Sequence, residues 1–457
     1  MSYDWRSGEV AVVGLGRSGV SATTLLRRLG AQVYASDGSS GREAIRGGEA
    51  ARVAGATAEV GAHDLARIAA ASLVVASPGV PPDAPPLATA REAGVLIISE
   101  VELALSVMPQ QRHIAVTGTN GKTTVTALIA HLLRGIGHSA EAAGNIGTPL
   151  SEIALRDTRP DWIALELSSF QLHDTPSVNP TVGVLTNLAP DHLDRYTSVE
   201  AYYADKAFLF RHASRGSHWV VNADDPAVMA LIRGVPGFSA RFSSAGRLCD
   251  AFLGGREKQH LIVMDETLLR RSELQLLGDH NVANALAAAL AVMTASATHE
   301  SHNHRTRLAA ALRTFAPLPH RLEPIGEFGE VLWINDSKAT NVSSTLSALE
   351  SMTRPTVLLL GGRHKGEPYT GLTAAIAAHC RVVLAYGEAA DEIEQDLAEA
   401  VPVERVVGDF AKVMAKAREH ALPGDAVLLS PACSSYDMFN NYEERGRAFA
   451  AVARGER

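Results

Sequence analysis

The strongest constraint on the fold is one stretch, His113–Thr124. In it an apolar run, Ile114-Ala-Val116, leads directly into Gly118-Thr-Asn-Gly-Lys-Thr-Thr124 and then a helical pattern. Glycines at a strand end let the backbone turn sharply. The helix that follows aims its first N–H groups and the positive end of its dipole back at that turn. Strand, glycine loop and helix in this order make the first half of a βαβ unit, which predicts a parallel α/β sheet. Lys122 is placed to reach β- and γ-phosphates, and the Thr123 hydroxyl to ligate Mg²⁺, so the loop reads as an ATP phosphate site. Its spacing is shortened: Val116 stands six residues before Lys122, where the first glycine of the usual loop would be.

The same alternation recurs along the chain. Val10-Ala-Val-Val13 runs into Gly14-Leu-Gly-Arg-Ser-Gly19, then a helical stretch, Val20 to Leu29, and a strand from Gln32 to Ala35 that ends at Asp37. Further strands are expected at Leu73–Ala76 and Val95–Ile98, closing a first domain at 1–100. A second set has strands at Ile114–Val116, Trp162–Glu166, Val182–Thr186 and Trp219–Asn222. It closes with an Ala-rich helix after His280 and a polar, His-rich loop near 294–304, and covers 101–317. Pro317-Leu-Pro-His320 breaks the chain. A third set, 318–457, has strands at Val331–Ile334, Thr356–Leu360, Val382–Ala385 and Ala426–Leu429. The expected fold is therefore α/β with three domains: Rossmann-like, a central phosphate-loop ATPase with a mostly parallel sheet, and Rossmann-like again.

Charge and composition narrow the function. The chain has 457 residues and a net charge of -8, with no basic stripe, which argues against nucleic acid as a partner. Cys249, Cys380 and Cys433 lie far apart, so neither a disulfide framework nor a zinc pair is expected, and a reducing cytoplasm fits. The polar start, Met1-Ser-Tyr-Asp-Trp-Arg6, lacks a signal-peptide core. No apolar run reaches the ~18 residues of a membrane span.

Other motifs leave alternatives open. Gly14-x-Gly16-x-x-Gly19, with Asp37 18 residues on, has the dinucleotide fingerprint; it suits NAD, a UDP-sugar, or a purely structural turn. An ATP loop elsewhere in the chain favours a nucleotide-linked substrate over NAD. Glu166-Leu-Ser-Ser-Phe-Gln171 ends a strand: Glu166 suits Mg²⁺, while Ser168 or Ser169 suits a helix cap. Asp191-His192 lies in a further strand-end loop, a setting that favours function. Lys206, read from pattern alone, is a solvated helix residue. Asn335-Asp-Ser-Lys-Ala-Thr-Asn341, Gly361-Gly-Arg-His-Lys-Gly366 and Ser430-Pro-Ala-Cys-Ser-Ser-Tyr-Asp437 each follow a strand of the third domain and together predict a polar site.

With Gly144-Asn-Ile-Gly147, Gly278-Asp-His-Asn281 and Leu318-Pro-His-Arg321 added, these segments closely resemble the Mur ligase family over nearly the whole chain, and within it the D-glutamate-adding branch. The resemblance implies ATP-dependent amide ligation through an acyl phosphate in peptidoglycan precursor synthesis. The implied ligands are UDP-N-acetylmuramoyl-L-alanine, D-glutamate, ATP and two Mg²⁺ ions, in a cytoplasmic monomer. It implies that Gly118, Thr119, Asn120, Gly121, Lys122, Thr123 and Thr124 bind ATP, with Asn281, Asn284, Arg321 and Asp336. Thr123 and Glu166 would hold one Mg²⁺; His192 and Lys206 would hold a second, Lys206 being carbamylated and so reversing its bland reading. Gly14, Leu15, Gly16, Arg17, Ser18, Asp37, Asn145, Ser168 and Gln171 would bind the UDP substrate. Lys338, Thr340, Lys365, Ser435, Tyr436 and Tyr442 would bind D-glutamate. Lys122, His192, Lys206 and Asp336 would be catalytic, with His192 and Asp336 both open as the group that orients or deprotonates the amine. Competing expectations are another ligase of the family, a folylpolyglutamate-type ligase, or a nucleotide-binding protein without chemistry.

Overall fold

The computed structural model describes residues 3–193 and 195–456; Asp194, in the Asp191–Tyr196 segment, lies outside these. Three sheets account for the strands. The first is parallel throughout, in the order Thr57–Val60, Gln32–Asp37, Glu9–Val13, Leu73–Ala76, Ile97–Ser99. Its central strand is apolar and buried because helices cover both faces, so it reads as a run rather than an alternation.

The second sheet has nine strands. From one edge they run Ala140–Gly144, Trp162–Glu166, His113–Thr117, Val182–Leu185, His218–Asn222, Phe238–Ser243, Ala251–Gly254, His260–Val263 and Glu266–Arg270. The last two are antiparallel to their neighbours and the rest are parallel. Val116 pairs with both Glu166 and Val184, so three strands stop in register and release their loops at one end. The third sheet runs Glu323–Phe328, Val331–Asn335, Ala426–Leu429, Thr356–Gly361, Cys380–Tyr386, Val403–Val406, parallel except for its first strand.

The molecule divides into two compact units: 1–188 with 200–270 and 284–312, and 189–199 with 271–283 and 313–457. The first two sheets belong to the first unit. There the cap Ser99 hydrogen-bonds Thr175 at 2.7 Å, and Glu100 accepts the Ser151 N–H at 2.5 Å, tying the helix Glu100–Val107 to the central sheet's helices.

One loop expectation fails. Residues 294–304 include a short 3-10 turn, Ala297–Glu300, and the start of the helix His302–Thr314. Leu308, Ala309, Ala311 and Leu312 give that helix a buried stripe at i, i+3, i+4, which the polar histidines at its start concealed. Among the described residues no helix is long and apolar enough to cross a membrane.

Candidate functional site

The loop after His113–Thr117 turns through Gly118 (φ 142°) and Gly121 (φ 79°), and the helix Lys122–Gly135 starts at once. Both glycines are obligatory on two counts. Their φ lies where L-residues are strained, and a Cβ would meet the Thr186 hydroxyl at 2.0 Å or the Asn284 Oδ1 at 2.3 Å. Asn284 is therefore packed on the loop. Asn187 clamps the loop from the next strand end. Its carbonyl accepts the Thr119 N–H at 2.9 Å, and its side chain accepts the Asn120 N–H at 2.8 Å and donates to the Asn120 carbonyl at 3.1 Å. Sequence reasoning gave Asn187 no role; an Asn at a strand's carboxyl end beside a glycine loop was the available signal.

Lys122 Nζ folds back on the carbonyls of Gly118 (2.9 Å) and Thr119 (2.7 Å). Lys206 Nζ reaches the same Gly118 carbonyl at 2.7 Å. The reading of Lys206 as a solvated helix residue is overturned: it is 1% exposed. The cause is helical spacing, since Tyr202 and Lys206 lie at i, i+4 on the buried face of Val199–Ala207, with the ammonium 4.5 Å over the Tyr202 ring.

Glu166 ends the adjacent strand and is buried. Its Oε1 accepts from Asn145 Nδ2 at 2.9 Å, while Oε2 is buried with no hydrogen-bond partner. A buried, unsatisfied carboxylate oxygen beside a phosphate loop fits a Mg²⁺ that takes one carboxylate and completes its shell with a hydroxyl, phosphates and water. Among the described residues no cluster of three His, Cys, Asp or Glu exists that would hold a metal unaided. The helix-cap reading of this segment holds. Ser168 caps the helix Ser169–His173 in a capping box with Gln171, whose Nε2 is buried without a partner.

Gly14, Gly16, Arg17 and Ser18 border a cleft of about 450 Å³, with Asp37–Ser39, His63 and Ser77–Pro81 around it. Gly19 is fixed by close packing, since a Cβ there would meet the Gly14 carbonyl at 1.7 Å. Both Asp37 oxygens are engaged by backbone amides, Leu15 N–H at 2.8 Å and Ser39 N–H at 2.9 Å, so Asp37 shapes the loop. Arg17 is largely exposed, with Glu152 at 3.6 Å.

In the second unit, the loops after Val331–Asn335, Ala426–Leu429 and Thr356–Gly361 leave three adjacent strands at one end, as the strand-end rule predicts. They interlock. Ser430 Oγ donates to Asp336 Oδ2 at 2.8 Å, and Arg363 and Ser434 exchange backbone bonds. Lys365 Nζ lies 3.5 Å from Thr340 Oγ1, and Lys338 Nζ lies 3.7 Å over the Tyr442 ring. Ser435 is buried, whereas Tyr436 is 64% exposed. Burial pushes the Asp336 carboxyl up to about 7. Hydrogen bonds from Ser430 Oγ and the Leu322 N–H counter that rise, as do the charges of Arg321 and Arg445. Asn281 is buried and donates to the Leu277 carbonyl at 2.8 Å. His192 has φ 56°, and its neighbour Asp191 accepts from Asn341 Nδ2 at 3.0 Å.

Two further features were invisible in the sequence. Arg445, fully buried, donates to Ser337 Oγ (3.0 Å) and to the carbonyls of Ser337 (2.8 Å) and Cys433 (3.2 Å). Tyr369 OH lies 2.9 Å from both His364 Nδ1 and Cys433 Sγ. Burial pushes the Cys433 thiol up to about 12, which removes it as a nucleophile.

Comparison with known proteins agrees with this arrangement. Three family models match: the Mur ligase MurD-like N-terminal domain over 8–99, the Mur ligase middle domain over 116–292, and the Mur ligase glutamate ligase domain over 320–433. The chain is 38% identical to a UDP-N-acetylmuramoylalanine--D-glutamate ligase of Salinibacter ruber and 40% identical to one of Anaeromyxobacter dehalogenans, in each case over 97% of both chains. The fold is similar to that of the UDP-N-acetylmuramate-alanine ligase of Thermotoga maritima (TM-score 0.62, 18% identity, 98% of this chain and 99% of that one). The chain belongs to the Mur ligase family and, within it, groups with the UDP-N-acetylmuramoylalanine--D-glutamate ligases.

Proposed function

We propose that the chain joins D-glutamate to the L-alanine carboxylate of UDP-N-acetylmuramoyl-L-alanine, with ATP hydrolysed to ADP and phosphate, in peptidoglycan precursor synthesis. The observation that carries this reading is the phosphate loop on which Lys122 and Lys206 converge, beside the half-satisfied Glu166 carboxylate, in a chain 38% identical to a named D-glutamate ligase over 97% of its length.

A carboxylate does not condense with an amine in water, because its leaving group is too poor. The L-alanine carboxylate oxygen attacks the γ-phosphorus, the bond to ADP breaks, and an acyl phosphate forms. The D-glutamate nitrogen then attacks the acyl carbon, phosphate leaves with the bonding pair, and the amine gives up a proton. Catalysis of this kind is positioning and charge neutralisation. Lys122 and the N–H groups of Gly118–Thr124 receive the phosphates, with Asn281, Asn284 and Arg321 around the nucleotide. In this reading 1–100 binds the UDP substrate through the Gly14–Ser18 loop, and 101–317 binds ATP, with Asn145, Ser168 and Gln171 turned to the muramoyl-peptide. The C-terminal part, 318–457, takes D-glutamate through Lys338, Thr340, Lys365, Ser435, Tyr436 and Tyr442. Asp336, with its carboxyl near 7, is suited to accept the amine proton at neutral pH; His192 is the alternative acceptor. Bound Mg²⁺ would neutralise phosphate charge, with Thr123 and Glu166 holding one ion and Lys206, as its carbamate, giving anionic oxygens to a second, for which His192 is a further candidate ligand. Carbamylation joins the neutral Lys206 amine to CO₂ with release of one proton. A cytoplasmic monomer completes the reading.

The test is phosphate release from ATP with UDP-N-acetylmuramoyl-L-alanine, Mg²⁺ and single amino acids. Release is expected with D-glutamate and is abolished by Lys122→Ala. Release with a different amino acid alone overturns the substrate assignment; release undiminished in Lys122→Ala overturns the loop assignment.

A further inference from the structure

The cleft beside Gly14–Ser18 needs side chains that recognise what enters it, and the obvious one is already drawn toward the backbone. In the dinucleotide arrangement an acidic residue at the end of the second strand binds the ribose hydroxyls. Here Asp37 occupies that position, but both of its oxygens accept backbone N–H groups. Ser36 is also committed: its hydroxyl lies 2.8 Å from His63 Nδ1. That bond has a directional effect. An imidazole held at Nδ1 presents Nε2 on the opposite side of its ring. His63 lines the cleft, and a Cβ built on Gly38, which lines the same cleft, would sit 3.1 Å from Nε2. Ser36 thus aims the imidazole so that Nε2 faces the end of the cleft next to Asp37. Burial lowers the His63 pKa, which favours the neutral ring.

We propose that His63 is a specificity-determining residue whose Nε2 hydrogen-bonds the uridine part of a nucleoside diphosphate, with the diphosphate at the N-terminus of the helix Arg17–Arg28. The inference rests on the reading of this cleft as the UDP-substrate site. Geometry supports the division of labour. The glycine loop and its helix bring N–H groups for phosphate at one end of the cleft. The second-strand end, where Asp37 and Gly38 lie, is where ribose and base follow. The absence of a side chain at Gly38 leaves Nε2 uncovered.

Two isosteres separate contact from support. His63→Asn keeps an amide where Nδ1 bonds Ser36 but has no atom at Nε2. His63→Gln places an amide near Nε2. With UDP alone as the probe, calorimetry on the full chain should show a Kd about threefold to tenfold weaker for His63→Asn, the cost of one hydrogen bond. His63→Gln should stay within about threefold of wild type. KM for ATP should be unchanged in both, and thermal unfolding should confirm that both fold. A His63→Asn chain that folds and binds UDP like wild type overturns the contact, as does equal loss in both variants. Wild-type protein that binds no UDP and turns over no UDP-linked substrate instead overturns the site reading beneath it.

Discussion

Lys206 Nζ stands 2.7 Å from the Gly118 carbonyl oxygen, so a buried amine and the first glycine of the phosphate loop are held together by a residue pair 88 positions apart. The carbamate proposed for Lys206 gives this contact a chemical consequence. Lys206→Ala is expected to lower kcat by about a hundredfold or more, the scale of removing one preorganised charge-stabilising group. A short added carboxylate should restore part of the rate, whereas bicarbonate should not. Wild-type rates in the variant would remove the carbamate role.

The packing of Asn284 on Gly121 predicts a separate effect on ATP. A Cβ at Gly121 would sit 2.3 Å from Asn284 Oδ1, on a backbone with φ 79°. Gly121→Ala therefore has to shift the loop or the asparagine, and αL strain adds roughly 1–2 kcal/mol. KM for ATP should rise more than tenfold, with UDP binding unaltered. An unchanged KM for ATP would show that the loop does not carry the nucleotide.

Asp336 sets a pH dependence. Its folded pKa, near 7, lies above the ordinary value of 3.8. The folded state therefore holds this proton more tightly than the unfolded state does. The resulting stability is fully present below about pH 3.8 and is lost as pH rises through about 7. Activity runs the opposite way if the ionised form accepts the amine proton, so kcat should climb through an apparent pKa near 7. Asp336→Asn should flatten both curves. Glu100 is also pushed up to about 7 by burial, so the stability profile has to be read as a wild-type-minus-variant difference. A kcat limb that persists in Asp336→Asn transfers the proton-accepting role to His192.

Arg445 joins two loops of the second unit through buried carbonyls. Arg445→Met would leave the Ser337 and Cys433 carbonyls buried without that donor, at about 1–3 kcal/mol each. A loss of about 2–5 kcal/mol in urea unfolding is expected, with KM for D-glutamate raised in whatever fraction folds. A change below about 1 kcal/mol would mean that water replaces the guanidinium.

Local chemistry by itself determined much of this protein. Apolar runs ending in glycine loops specified parallel strands, and Trp162–Glu166 and Ala426–Leu429 were legible to the residue, because a strand buried on both faces writes itself as a continuous apolar run. The phosphate loop was legible because its glycines, lysine and hydroxyl act within one turn of chain. Tertiary structure alone decided what depends on distant neighbours. Lys206 looked solvated because a lysine next to Asp205 in a helix reads as an exposed face; its partner is a carbonyl in the loop after a strand far away in sequence. Asn187, Arg445 and His63 escaped notice for the same reason, since a polar side chain's role lies in the atoms it meets and not in its spacing. The Gly118–Lys206 contact joins both kinds of information: a loop that local sequence predicts, and a lysine that only the packed sheet delivers to it.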